Sequence, residues 1–429
     1  MTVRRRRLTL ILTVALAVAL GGCTGDDPEQ AADGQELKIG LLAPLKGSTG
    51  PAGTEAQRGA QLAADVINGL NPSIPLPFAA GSGIPGIGGG KVTIVTEDSS
   101  GDEPQVVAGR AVNKLVSDVG VNALIGAYDP QVTEFASQRS ERFEIPFVNA
   151  DSPATFLTEA GRDWFFRLGP TWRSAGEAFL ALLREQQALS GRMVIMHAED
   201  KAGRDVVTTV RELADQAGLD GTKIPNVPFS PTATNMQAEV DRTIALRPDV
   251  LFLYVTPTTI PPLIRAIANR QYKPKAALSF SLGFLGSQNF RDAIPVVRGL
   301  SRSVSWSSEA AERNPAARAV TALYKRRYNA DMTESAASAF TAVMAVAQAV
   351  DGARSTDPQR IRSALLNLDV PGEQTVMPWA GIQFDETHQN VLAQTLVEQF
   401  VGESFQVVFP ADATPAKRTM IYPATGATG

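Results

Sequence analysis

Leu37 to Asn68 reads LKIGLLAPLKGSTGPAGTEAQRGAQLAADVIN, and its two halves have different characters. Leu37-Lys38-Ile39-Gly40-Leu41-Leu42-Ala43 is a short apolar run that reads as a strand. Thr54-Glu55-Ala56-Gln57 has the form of a capping box and predicts a helix from there to about Asn68. The alternation then repeats. Strands are expected at Lys91–Thr96, Asn122–Gly126 and Ile145–Asn149, with helices at Pro104–Val119 and from Pro130 to about Phe143. Asp129 before Pro130 is an N-cap followed by proline at the first helical position.

After Arg167 the pattern resumes. Helices are expected at Ser174–Gln187, Arg204–Ala217, Met236–Leu246 and Ile260–Arg270. Between and after them come strands at Arg192–His197, Thr222–Phe229, Asp249–Val255 and Ala276–Phe280. Strands alternating with helices imply an α/β fold, with mainly parallel sheets wrapped on both faces and ligands held at the C-terminal strand ends. The later part differs. A strand at Leu300–Trp306 precedes helices at Pro315–Tyr328, Glu334–Asp351 and Pro358–Asn367. Strands follow at Thr375–Met377, Gly381–Phe384, Val391–Val401 and Phe405–Phe409. Asn71–Gly90, rich in proline and glycine, reads as a long surface loop, and residues 411–429 as a loose tail.

Ahead of this pattern, Arg4 to Arg7 lead into an apolar run from Leu8 to Leu20 that ends Leu20-Gly21-Gly22-Cys23. A basic start, an apolar core and small residues before a cut describe a secretory signal. At about 13 residues the run is too short to span a bilayer as a stable helix. The Leu-Gly-Gly-Cys ending resembles the lipobox of bacterial lipoproteins. That resemblance implies removal of a signal peptide at 1–22 and lipid on the sulfur of Cys23. Residues 23–36, small, polar and acidic, then form a flexible tether.

An exported chain works where ATP and reduced nicotinamide are scarce. Loss of the four arginines takes the net charge from −4 to about −8, which does not favour nucleic acid or an anionic membrane surface as partner. Cys23 is the single cysteine, so no internal disulfide is expected. The two histidines, His197 and His388, stand in no metal-ligand spacing, and no metal or cofactor is expected. Gly-x-Ser-x-Gly is absent. Gly90-Lys91 fails as a phosphate loop because Pro85 and Val92 replace its leading glycine and its Ser/Thr. Glu97-Asp98 and Asp102-Glu103 read as loop and helix-start residues. No catalytic constellation emerges, so an enzyme is not expected.

The ordered elements resemble a type I periplasmic binding protein of the branched-chain amino-acid (leucine/isoleucine/valine-binding) group, the solute receptors of ABC importers. Four segments carry the resemblance: Ile39 to Gly47, with its Pro44-Leu45-Lys46-Gly47 turn; Arg58-Gly59-Ala60-Gln61-Leu62-Ala63 with Ile67-Asn68; Glu97 to Pro104 with Ala111 to Val116; and Ala123-Leu124-Ile125-Gly126. It extends from about residue 37 to 405. It implies two lobes, one of residues 37–169 and 305–376, the other of 170–304 and 377–410. Three crossovers join them, near Arg167–Thr171, Val304–Ser308 and Thr375–Trp379, and solute is trapped between the lobes by closure about this hinge. It also implies ABC permease subunits as partners and a receptor that docks as a monomer, while the signal and lipobox imply an extracytoplasmic location and a membrane tie through Cys23.

In that family a Ser/Thr loop and helix N-terminus hold the carboxylate of an amino acid. Here the corresponding loop is Ala127-Tyr128-Asp129-Pro130-Gln131. Pro130 lacks a donor, and Asp129 puts a negative charge, or a plain helix cap, where a carboxylate would dock. The next loop offers Asp151 and Ser152. The family tyrosine of the second lobe falls near Ala202, and the acid that takes the ligand amine falls near Gly283, so both are missing. Tyr254, Thr256 and Phe284 line the second wall in this reading, while Tyr128, Phe284, Trp306 and Trp379 suggest an aromatic cleft. The expected contacts are thus Tyr128, Asp129, Gln131, Asp151, Ser152, Tyr254, Thr256 and Phe284. The expected solute is not a plain branched-chain amino acid, and Asp129 with Asp151 favours a cationic or polyhydroxyl group. The alternatives are a ligand-sensing lipoprotein partnered with a membrane signalling protein, a degenerate relative that binds nothing, and an exported enzyme using the cleft.

Overall fold

In the computed structural model, residues 34–280, 298–414 and 416–424 are described. The first part of the chain alternates strand and helix: β1 (Leu37–Ala43), α1 (Gly50–Asn68), β2 (Val92–Asp98), α2 (Pro104–Asn113), β3 (Ala123–Gly126), α3 (Pro130–Phe143), β4 (Phe147–Asn149), α4 (Phe156–Glu159) and β5 (Phe165–Arg167). The second part continues with α5 (Trp172–Glu185), β6 (Met193–Ala198), α6 (Lys201–Gln216), β7 (Asn226–Phe229), α7 (Gln237–Ala245), β8 (Val250–Tyr254), α8 (Ile260–Arg270), β9 (Ala276–Ser279) and β10 (Leu300–Val304). Then come α9 (Ser308–Ala311), α10 (Pro315–Tyr328), α11 (Glu334–Ala353), α12 (Pro358–Leu366), β11 (Asp369–Pro371), β12 (Gly381–Gln383), β13 (Leu396–Val401) and β14 (Ser404–Phe409).

Two sheets result. The first has order β2-β1-β3-β4-β5 and is parallel throughout. Successive residues of its strands face opposite sides. Leu41 and Ile125 enter one core with α1 and α11, while Leu42 and Leu124 enter another with α2 and α3. Cover on both faces explains why β1 reads as an almost continuous apolar run. The second sheet has order β14-β13-β10-β9-β8-β6-β7. Its inner strands β6 and β8 are buried at every position, and the β13–β14 hairpin adds the antiparallel edge. This is the expected two-lobe α/β architecture.

α1 and α11 pack backbone to backbone. A Cβ placed on Gly59 would lie 2.0 Å from the Ala336 carbonyl oxygen, so the Arg58-Gly59-Ala60 segment needs its glycine. Fourteen residues of α11 are buried. By length and composition it is apolar enough to cross a membrane, but here it is a core helix. Trimming its Phe340, 1% exposed, to alanine would cost about 3–5 kcal/mol.

Several expectations are corrected. α1 begins at Gly50 with Pro51 in its first turn. Thr54 lies inside the helix, its hydroxyl turned back onto the Gly50 carbonyl at 3.0 Å, so no capping box forms there. Thr375–Met377 is not a strand, because the Thr375 hydroxyl donates to the Gly372 and Met377 carbonyls and closes a turn. The strand expected from Val391 begins at Leu396. Residues 71–90 form a packed insertion rather than a loose surface loop: Ile74, Leu76, Ala79, Ile84 and Ile87 are buried in the first core. Nor is the tail loose where it is described. Met420 is buried, the Ile421 amide donates to Gln399 Oε1 at 2.8 Å, and the Ala424 amide to the Lys275 carbonyl at 2.6 Å.

The chain passes between the sheets at 168–171 and again at 305–307. The third passage lies later than Thr375–Trp379. Val376, Met377, Trp379 and Ile382 are buried in the first core, and residues 388–390 pair with the Arg167 backbone. Arg167 itself is fully buried, and its Nε donates to Gln389 Oε1 at 2.6 Å. The chain is therefore tied to the first sheet through Asn390 and enters the second at Leu396.

Candidate functional site

A cavity of about 490 Å³ lies between the lobes, lined from both. Much of its wall follows the C-terminal ends of strands: Tyr128 to Gln131 after β3, Ala150 and Asp151 after β4, Asp200 and Ala202 after β6, Val255 to Pro257 after β8, and Phe280 after β9. That is where parallel sheets leave a crevice.

The β3 loop is fixed from beneath. Gly126 has φ +100°, and a Cβ there would sit 2.2 Å from the Leu42 carbonyl oxygen, so only glycine fits. Buried Asn149 donates its Nδ2 to the carbonyls of Gly126 and Ala127, at 2.7 and 2.9 Å. Asp129 then caps α3: its Oδ1 accepts from the amides of Gln131 at 2.8 Å and Val132 at 3.0 Å. Its carboxylate is open to the cavity but enclosed by the cavity walls. This loss of bulk water, with Asp200 nearby, raises its pKa against the pull of the two amides.

Asp151 and Glu334 meet on the first-lobe wall. Burial pushes Asp151 up to about 8, and the negative charge of Glu334 adds to the effect. Ser338 lies close enough to pull Asp151 partly back, yet its hydroxyl makes no well-shaped hydrogen bond. Glu334 stands at the start of α11, behind the cap Thr333. Burial also raises it, while the amide and hydroxyl of Ser305 donate to its Oε1 and oppose the rise. Arg302, behind this wall, is spent elsewhere: it forms a fork with Glu398 Oε2 at 2.7 and 2.9 Å and stacks 3.9 Å from the Phe405 ring centroid.

Aromatic rings line much of the cavity. Trp172 and Tyr254 meet edge to face, centroids 5.1 Å apart, and Phe280 packs beside Phe179 in the same way at 5.1 Å. Burial and the surrounding carboxylates raise the pKa of both Tyr128 and Tyr254, so both keep their protons at neutral pH. The indole Nε1 of Trp172, 2% exposed, has no partner in the protein.

Of the contacts expected from sequence, Tyr128, Asp129, Gln131, Asp151, Tyr254 and Thr256 share this cavity. Thr256 turns its hydroxyl onto the Pro231 carbonyl at 2.9 Å. Ser152 is buried behind the wall with its amide on Asn149 Oδ1, not among the lining residues. Phe284, Gly283 and Cys23 lie outside the described residues. The suggestion that Trp306 and Trp379 line the cleft is overturned. Both are buried in the first core, and Trp306 Nε1 donates to the Val376 carbonyl at 3.2 Å. Sequence reasoning missed Glu334, Asp200 and Trp172. Glu334 looked like an ordinary helix start, Asp200 fell outside the helix expected from Arg204, and nothing local set Trp172 apart.

The lining holds six carboxylates, Glu55, Asp129, Asp151, Asp200, Asp331 and Glu334, and no Lys, Arg or His among the described residues. No cluster of His, Cys, Asp or Glu among those residues has metal-holding geometry.

The sequence pattern of the family described as "Periplasmic binding protein" matches residues 36–400. "Leu/Ile/Val-binding protein homolog 8" of Brucella abortus (strain 2308) is 24% identical over 393 residues, covering 89% of this chain and 92% of that protein. The crystal structure of a leucine binding protein, LivK, from Thermotoga maritima MSB8 superimposes with a TM-score of 0.71 at 18% identity, over 86% of this chain and 97% of that one. A solute binding protein of an ABC transporter from R. palustris, solved in complex with benzoate, gives a TM-score of 0.69 at 16% identity, over 87% and 95%. At these identities the structural likenesses establish the fold. These relatives are substrate-binding proteins, not enzymes.

Proposed function

The chain belongs to the periplasmic binding protein family, and on that premise we propose that it is a lipid-anchored receptor that traps a small polar solute between two lobes and delivers it to an ABC permease. It is a solute-binding protein of ABC-transporter type and works outside the cytoplasm. The observation that carries the finer reading is the interlobe cavity. Its wall draws on loops of both sheets, so a solute there touches both lobes and favours their closed arrangement. At about 490 Å³ it has the size of an ordinary small-molecule site.

Tyr128, Asp129, Gln131, Asp151, Tyr254 and Thr256 are the proposed contacts. Lobe 1 is residues 37–169 with the segment from 305, and lobe 2 is 170–304 with the C-terminal hairpin. Lipid on Cys23 holds the receptor, as a monomer, near its permease.

A thermal-shift screen of the chain from Thr24 onward, against amino acids, amines, sugars, nucleosides and aromatic acids, tests the reading. A solute at about 1,000 times its Kd stabilises by roughly 4 kcal/mol, a rise of several degrees. Silence across the screen, from folded protein stripped of carried-over solute, would sink it. Labelled palmitate carried by the full chain but absent from Cys23→Ala would support the anchor. Equal labelling of both would remove it.

A further inference from the structure

We propose that the cavity takes an organic ammonium cation, its amine received by Asp151 and Glu334 of the first lobe and its body held against Trp172, Tyr254 and Phe280 of the second. This deepens the solute-receptor reading and rests on it.

Three observations converge. The first is charge. No base lines the cavity among the described residues. Glu55 and Asp331 pair with Arg58 and Lys325, and Arg302, engaged with Glu398, also offsets part of the charge on Glu334, but Asp151 and Asp129 face the cavity with no described cation beside them. Enclosed negative charge without a counter-charge is costly, and a cationic solute removes that cost whereas a neutral polyol does not.

The second is that the usual anion sites are closed. Six helices begin at the cavity. Four carry their own caps: Asp129 on α3, Thr171 on α5, Asp200 on α6 and Thr333 on α11. The other two, α1 and α8, have proline in the first turn and so lack donors there. A helix end attracts an anion through its free N–H groups, and these ends are capped or proline-depleted. The carboxylate of an amino acid or an aromatic acid finds no ready seat.

The third is unpartnered polar groups. Trp172 Nε1 and Ser338 Oγ both belong to lining residues and both are buried; the indole has no partner in the protein, and the serine hydroxyl, which acts on Asp151, makes no well-shaped hydrogen bond. Buried donors are normally satisfied. Ser338 stands beside Asp151, and Trp172 Nε1 offers a donor to a hydroxyl or carbonyl on the solute. The faces of Tyr128, Tyr254 and Trp172 suit an ammonium group as well.

The test is calorimetry at pH 8 on the chain from Thr24 onward, which keeps every described residue, refolded to remove carried-over solute. The probes are spermidine, choline, phenethylamine and L-arginine, against L-leucine, benzoate and glucose. The expected result is that at least one cation binds with Kd below about 10 μM, more tightly than every comparator, and that Asp151→Asn weakens it at least tenfold without lowering the melting temperature. If L-leucine, benzoate or glucose binds more tightly than every cation, the ammonium assignment falls and the receptor reading stands. If no probe binds, the assignment falls, and the wider thermal-shift screen judges the receptor reading separately. A cation bound equally well by Asp151→Asn would overturn the role given to that carboxylate, and Trp172→Phe, which keeps the ring, separates the indole N–H from packing.

Discussion

The rim and the floor of the cleft both carry charge, but they treat it differently. At the rim, Lys201 of the second lobe reaches Glu134 of the first at 2.5 Å and lies 4.1 Å from the centre of the Phe156 ring. Asp205 accepts from the Thr155 amide across the same gap at 2.8 Å. Glu134 there is neutralised within the protein, and Asp205 is held by backbone amides. On the floor, Asp151 and Glu334 face each other with neither paired to a described base. A fold that can pair its acids at the rim yet leaves them unpaired a few residues away is holding that negative charge for something else. Rim contacts hold the lobes together; the floor waits for a solute.

The comparison breaks most directly at Asp151. Asp151→Asn should lower affinity for a cationic solute by about 30-fold or more, since losing one partner of an enclosed charge pair costs about 2 kcal/mol or more. The same change should raise the melting temperature by a few degrees at pH 8, because it removes a carboxylate that burial and Glu334 disfavour. Opposite signs in the two measurements mark a functional acid; two losses would mark a structural one.

Acidity sharpens the same contrast. Asp151 is raised from 3.8 to about 8. Between those values the folded chain holds a proton that the unfolded chain has released. Its contribution to stability is therefore greatest below about pH 4 and is lost as pH rises through 8. Cation binding follows the reverse course, because the solute favours the ionised carboxylate. Affinity should rise between pH 6 and pH 8.5, by at most about tenfold per unit. Glu334, Tyr128 and Asp129 on the same wall, and Asp200 and Tyr254 opposite, face the same space. The decisive comparison is therefore the slope in Asp151→Asn, which should be shallower than in the parent chain.

Trp172→Phe should cost about 1 kcal/mol of binding, close to fivefold, if its N–H finds a partner on the solute. The smallest effect should come from the rim. Lys201→Ala removes a half-exposed pair worth at most about 1 kcal/mol, so affinity should change no more than about fivefold, with the difference fading at high salt. A loss as large as that of Asp151→Asn would erase the distinction between rim and floor.

Much of the fold was legible because long elements carry their own period. β1, α8 and α10 fall on their expected bounds, and Asp129-Pro130 starts α3 as its chemistry requires. The misses have local causes. α1 opens at Gly50, four residues before Thr54-Glu55-Ala56-Gln57, whose threonine folds back on the helix. β5 is three residues long, too short for any periodicity. In the cleft, Tyr128, Asp129, Gln131, Asp151, Tyr254 and Thr256 could be read because the family resemblance points to those loops, which follow strands, where α/β sheets keep their ligands. Glu334 could not. It comes from a helix start more than 180 residues beyond Asp151, and only the packing of α11 brings the two acids together. Trp306 and Trp379 show the reverse error: an aromatic residue carries no mark that separates core from cleft.

The contact of Gly59 with the Ala336 carbonyl bears on how the pocket can adapt. Ala336 stands two residues after Glu334, so the height of that acid above the cavity is set by two main chains in contact rather than by a side chain free to change rotamer. The first-lobe wall is stiff, an anvil rather than a cushion. Whatever compliance the receptor shows toward solutes of different length must come from the opposite lobe and from the angle at which the two halves meet.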